Sequence, residues 1–200
     1  MALILPTLPR QAEYTFDLVA AGGVLRPAWG GPVQPMARTG DRWAFDVTTP
    51  TMDAGGCGGD LESDIRRGRL TPVIMKVIEE DDTPTYGAAP QVNGALQAGT
   101  TINLKQLLPG VVIRKNKWLN LVINGQHYLY EVAALATADG GGLAAVSIWP
   151  PIRRSPANSS AVILKDPVIE GLAEITSPPR RRRFGDRVLT GFGFRLEEQE

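Results

Sequence analysis

Apolar and polar residues alternate with period two at both ends of the chain. Ala12, Tyr14, Phe16 and Leu18 fall on one face of an extended segment, and Glu13, Thr15 and Asp17 on the other. Such alternation predicts a half-buried strand, because successive side chains of a strand point to opposite faces. Gly22-Gly23 ends it, and the Pro- and Gly-rich stretch from Arg26 to Gly40 reads as an irregular excursion. A second alternation sets Trp43, Phe45 and Val47 against Arg42, Asp46 and Thr48, with Pro50 ending it. Near the end of the chain, Val188, Thr190, Phe192, Phe194 and Leu196 alternate with Gly and Arg positions. That last strand needs a sheet to join, and the strands at 12–20 and 42–48 are its natural partners.

One helix is predicted. GGCGG at 55–59 reads as a flexible loop, Asp60 as an N-cap, Leu61 and Ile65 as one helical face, and Gly68 as a left-handed stop. PVIMKVIEE at 72–80 is β-branched and reads as a strand returning to the core. The polar segment EEDDTPTYGAAP then reads as a linker.

Between about 84 and 166 the chain breaks into short β segments: VNGALQ, TINLKQL, KWLNLVI, QHYLYEVA, LAAVSIW and AVILKD. Asn124-Gly125 suits the two positive-φ positions of a type I′ turn and predicts a tight hairpin over residues 117–133. ADGGG at 138–142 predicts a second, looser hairpin turn. Many short strands at this spacing suggest a small closed or nearly closed barrel. PVIEGLAEI reads as a strand and SPPRRRRFGD as an exposed loop. The expected fold is therefore mainly β. An N-terminal β-sandwich or split-barrel domain (1–80 plus 167–200) is completed by the C-terminal strand. It is interrupted by an inserted small β-barrel (84–166), with one short helix near 60–68.

Composition narrows the function. The 200 residues balance 21 basic against 21 acidic side chains, which gives no electrostatic footprint for nucleic acid or a membrane surface. Hydrophobic residues, at 43%, are enough to build a core. MALILPTLPRQ lacks a basic n-region and a long apolar run, so no signal peptide is expected. A single cysteine, Cys57, excludes an internal disulfide.

Candidate chemistry is sparse. His127 is the lone histidine, and one His with one Cys cannot make the usual zinc tetrahedron. Cys57 has no basic neighbour to form a thiolate. GGCGG and DGGG lack the Lys and Ser/Thr of a phosphate loop, and GDLESD and EEDD lack calcium-loop spacing. A barrel-based hydrolase would need carboxylates such as Asp139 and Glu131 to converge, and no pattern forces them together. No catalytic, cofactor or metal residue is assigned, and the chain is expected not to be an enzyme. Arg180, Arg181, Arg182 and Arg183 form the most unusual charge feature. With no interleaved aromatics they read as an interface or lumen-facing loop rather than a nucleic-acid grip. The acidic segment Glu79–Asp82 is one conceivable partner for them. Trp29, Trp43, Trp118 and Trp149 read as core or interface anchors, and Trp29 joins the four arginines as a candidate subunit contact.

A family resemblance adds to this reading. GGLAAVSIWPPIRRSPANSSAVILKDPVIEGLAEI resembles a segment of phage tail proteins. There a strand ends in a Pro-Pro-Leu/Ile-Arg turn, followed by a small-residue loop, an aliphatic strand and an Asp-Pro step. WAFDVTTPTM before a short helix, and the closing GFGFRLEE, are similar to the early part and last strand of the distal-tail-type proteins of long-tailed bacteriophages. The resemblance implies a virion protein at the tail tip, made in the host cytoplasm. It implies a homo-oligomeric ring, a hexamer as a rule, that joins the tail tube protein to hub, fibre and receptor-binding proteins. It implies no cofactor, and the arginine run is not part of it. The alternative is a β-rich module that binds carbohydrate or protein.

Overall fold

The structure, a computed structural model, describes residues 2–9, 11–36, 39–79, 85–179 and 188–199. Strands β1 (Leu3–Ile4), β2 (Glu13–Val19), β3 (Gly23–Leu25), β4 (Gln34–Met36), β5 (Arg42–Thr48) and β6 (Met52–Asp53) precede helix α1 (Cys57–Arg67). Then come β7 (Val73–Lys76), β8 (Gln91–Val92), β9 (Thr101–Lys105), β10 (Val112–Ile113), β11 (Trp118–Ile123) and β12 (Gln126–Val132). The chain ends with β13 (Ala136–Thr137), β14 (Ala144–Trp149), β15 (Val162–Ile163), β16 (Val168–Ser177), β17 (Val188–Leu189) and β18 (Gly193–Glu198). The fold is mainly β with one short helix.

The chain divides into two compact units. One comprises residues 1–18, 43–77 and 168–200, and the other residues 19–42 and 78–167. The first unit is built on a six-stranded sheet in the order β1-β7-β16-β18-β5-β2, with β7, β16, β18 and β5 antiparallel to their neighbours in that run and β1 parallel to β7. The final strand β18 thus lies inside the sheet, between β16 and β5. Alternation explains its burial. Phe194, Leu196 and the β5 residues Trp43, Phe45 and Val47 are buried, while Arg195 and Asp46 sit on the other face. Helix α1 adds Leu61 and Ile65 to this core, and the short ladder β6–β17 adds Met52 and Leu189.

Helix α1 departs from expectation at both ends. It starts at Cys57, so the second half of GGCGG is helical and not a loop. Its N-cap is Gly56, without a side-chain hydrogen bond, and Asp60 lies in the first turn. The glycines serve close approach. A Cβ on Gly58 would stand 2.7 Å from the Asp53 carbonyl oxygen, and one on Gly59 would strike the Ala54 carbonyl. Gly68 is right-handed, at φ −58° and ψ −15°, not left-handed. A Cβ there would stand 2.9 Å from both Ala173 and Val73, so it too is a packing glycine.

In the second unit a six-stranded sheet runs in the order β15-β11-β12-β14-β9-β8, beside a two-stranded ladder of β10 and β13. Asn124 (φ 53°) and Gly125 (φ 82°) make the expected turn between β11 and β12, which pair from Ile123–Gln126 to Trp118–Glu131. Tyr128, Tyr130, Leu119, Leu121, Val146 and Ile148 fill the core. Of the closed or nearly closed barrel expected, full closure does not form. The sheet order is open, and its edges at β8 and β15 are joined by one isolated bridge, Gln91 to Ala161, and by the Ser159 N–H donating to the Val92 carbonyl at 2.9 Å. Backbone bonds from Val92 N–H to Ser160 (3.0 Å) and from Val162 N–H to Pro90 (3.0 Å) flank that bridge. Two-residue strands at both edges are too short to carry a continuous seam. The turn at 139–143 forms, with Asp139 accepting N–H bonds from Gly141 (2.8 Å) and Leu143 (2.9 Å). Strand β13, however, pairs with β10 rather than with β14.

Candidate interaction surface

The stretch from Arg26 to Gly40 was expected to be an irregular excursion. Residues 23–36, which include most of it, instead form a two-stranded ribbon, in which Gly23 pairs with Met36, Val24 with Pro35 and Leu25 with Gln34. Every residue from 23 to 36 is exposed. Trp29 is 100% exposed at the far end, and Val24, Leu25 and Val33 are each more than half exposed. Pro27, Pro32 and Pro35 remove backbone donors, and Gly30 and Gly31 take positive φ at the tip (81° and 144°). Arg26 is its one charged residue. A two-stranded ribbon alone is marginal in water, and among the described residues no core covers the apolar side chains on its two faces. At its base, the Ala21 N–H donates to the Asp41 carboxylate at 2.8 Å, which ties together positions 20 residues apart.

A second open feature is the sheet edge at β2. Among the described residues this strand neighbours β5 alone. Tyr14 and Phe16 lie on the core side, with Phe16 6.4 Å from the Trp43 ring and 6.1 Å from the Phe45 ring. Phe16 is nevertheless 52% exposed; among the described residues no strand lies beyond β2 in this sheet. Glu13, Thr15 and Asp17 are exposed on the opposite face. Asp17 faces Arg195 at 3.8 Å, and Arg195 donates to Asp46 at 2.6 Å.

Of the sequence candidates, Trp29 lies on the ribbon, and Arg180, Arg181, Arg182 and Arg183 fall outside the described residues. Trp43 and Trp118 are buried core residues, and Trp149 is partly exposed at the end of β14. Glu79 is not a solvated acid. Its carboxylate pairs with Lys117, both side chains largely buried, and accepts the Trp118 N–H at 2.9 Å. Lys117 also lies over the Tyr86 ring, 5.3 Å from its centroid. Residues 80–82 of the acidic segment fall outside the described residues.

Among the described residues, the other candidate side chains are not brought together. The Asp139 carboxylate is engaged by its own turn. Glu131 sits in a cross-strand row between Trp118 and Trp149, and burial raises its carboxyl above the ordinary value while Lys115 pulls the other way. Among the described residues no group of three His, Cys, Asp or Glu side chains could hold a metal ion. No helix among them is long and apolar enough to cross a membrane. Cys57 is exposed. A cleft lined by Tyr86, Ala88, Pro90, Ile163 and Lys165 has one aromatic ring, and that ring is buried beneath Lys117.

The sequence missed the ribbon because β3 and β4 are three residues long and interrupted by proline and glycine, too short for alternation to register. The signal available was composition: five large apolar residues between 24 and 36 with one charge.

No protein-family model matches the chain, and no curated protein matches it.

Proposed function

We propose that this chain is a structural subunit of a bacteriophage tail tip, of the distal-tail type, that assembles into a closed ring joining the tail tube to hub, fibre and receptor-binding proteins. The observation that carries the reading is the ribbon at 23–36, an apolar arm with a fully exposed tryptophan that a solitary chain has no means of burying. The resemblance at Trp149–Arg153 supplies the particular assembly. A ring subunit needs two different surfaces that meet head to tail and close, and an arm on one copy with an open sheet edge on the next supplies such a pair. The balanced charge of the chain suits dense packing of identical copies. A sugar-binding module calls instead for an accessible aromatic platform, and the cleft at Tyr86 has its ring buried.

Light scattering after size-exclusion chromatography, with negative-stain imaging, tests the reading. The expected result is a closed ring of copies, or ring formation upon addition of tail tubes. A chain that stays monomeric at high concentration, with no ring on tubes or in particles, would overturn it.

A further inference from the structure

We infer that the ribbon β3–β4 of one copy docks on the open edge of strand β2 in a second copy, extending that copy's six-stranded sheet. The inference rests on the ring reading above and goes beyond it by naming donor and acceptor.

The acceptor is incomplete in three ways. Strand β2 has seven residues and, among those described, one neighbouring strand, so one edge of its backbone is open for pairing. Phe16 lies 52% exposed beside the buried rings of Trp43 and Phe45, an apolar step that an added strand would cover. Glu13 and Asp17 are the charges of this strand's exposed row; Asp17 already faces Arg195 at 3.8 Å, so Glu13 is the acid that an incoming cation would meet.

The donor is complementary in each respect. The ribbon has two short strands, each with an outer edge, so backbone pairing to a third strand is available. Leu25 and Met36, on one face of the ribbon, are apolar and exposed, which suits the step at Phe16, while Val24 and Val33 lie on the other face, toward the row of Thr15. Its one charge is Arg26, and it contains no acid. A cationic arm meeting an acidic strand fixes both attraction and register, while two arms or two β2 edges placed together would lack that complement. Donor and acceptor on one chain make a second copy the occupant. Because the two surfaces differ, the contact is heterologous and repeats around a ring.

The test uses single-cysteine chains in a Cys57→Ser background. One carries Thr15→Cys on β2, and the other carries Val33→Cys on the arm together with a mass tag. Each is mixed with a short bis-maleimide, alone and together. The expected product is a 15-to-33 adduct formed in the mixture and not within either chain alone. Trp29→Ser, at a fully exposed position, is expected to weaken association about thirty-fold, the effect of a central interface anchor, with an unchanged melting temperature. If association persists in Trp29→Ser and no 15-to-33 adduct forms, the arm-to-edge contact is overturned and the ring reading stands. If the unmodified chain is monomeric at all concentrations, both fall. Flotation of that monomer with phosphatidylcholine–phosphatidylglycerol vesicles, lost in Trp29→Ser, would overturn the inference in favour of a lipid surface.

Discussion

Gly171, opposite Glu198 in the β16–β18 pairing, has no room for a side chain: a Cβ would land on the carbonyl oxygen of Glu197. Gly171→Ala is expected to destabilise the chain by about 3 kcal/mol, the upper part of the overpacking range, measured by urea unfolding. Gly23→Ala is the control, since nothing lies within 4 Å of its Cβ position. The Lys117–Glu79 pair makes a second prediction. Its side chains are only 7% and 12% exposed, so removing one partner strands a buried charge. Lys117→Met is expected to cost about 3 kcal/mol, and the double variant Lys117→Met/Glu79→Gln to recover part of that loss in a double-mutant cycle. Glu131 gives a pH dependence. Burial raises its folded carboxyl above the ordinary 4.5, so the folded state holds a proton that the unfolded state has released. Its contribution to stability is full below the ordinary glutamate range and is lost as pH rises through the folded value. Melting curves should therefore show Glu131→Gln increasingly more stable than the parent as pH rises to neutrality, with the two converging in acid. A gap that widens toward low pH would refute the assignment.

At the scale of elements, what was legible followed from period and turn chemistry. The alternations at 12–18, 42–48 and 188–196 became β2, β5 and most of the last strands, and Asn124-Gly125 became the turn between β11 and β12. Gly125→Ala should cost about 1–2 kcal/mol through its left-handed backbone alone, because nothing crowds its Cβ position. Illegible features were set by contacts distant in sequence. The glycines of 55–59 look flexible in isolation, yet Gly58 and Gly59 are helical residues pressed against the Asp53–Ala54 backbone. Replacing an interior helical glycine by alanine ordinarily stabilises by about 1 kcal/mol. Here the sign should reverse, with Gly58→Ala losing about 1–3 kcal/mol in thermal or urea melts. How far the barrel closes was left open for a related reason: strand spacing reports how many strands exist, while full closure depends on whether the edge strands are long enough to pair. The acidic character of Glu79 was plain in the sequence, but its burial against Lys117, 38 residues away, was not. For the candidate surface, the sequence singled out Trp29, while the ribbon carrying it was not legible.

For the whole molecule, the order in which the chain is made meets the order in which it pairs. Strand β18 follows all its sheet partners in sequence yet is an inner strand, and its Arg195 reaches Asp46 across 149 residues. The Glu198 carboxylate accepts the Trp43 N–H across 155 residues. Residues 78–167, by contrast, are contiguous and pair largely with close neighbours, as in the β11–β12 hairpin. A nascent chain emerging from the ribosome can therefore complete the 78–167 sheet while β5 and β16 still lack the strand that belongs between them. Until residues 193–198 leave the exit tunnel, the first sheet holds a gap one strand wide, lined by Phe45 and Val47. That gap would accept any passing β-strand, so chains stopped before residue 193 should be sticky.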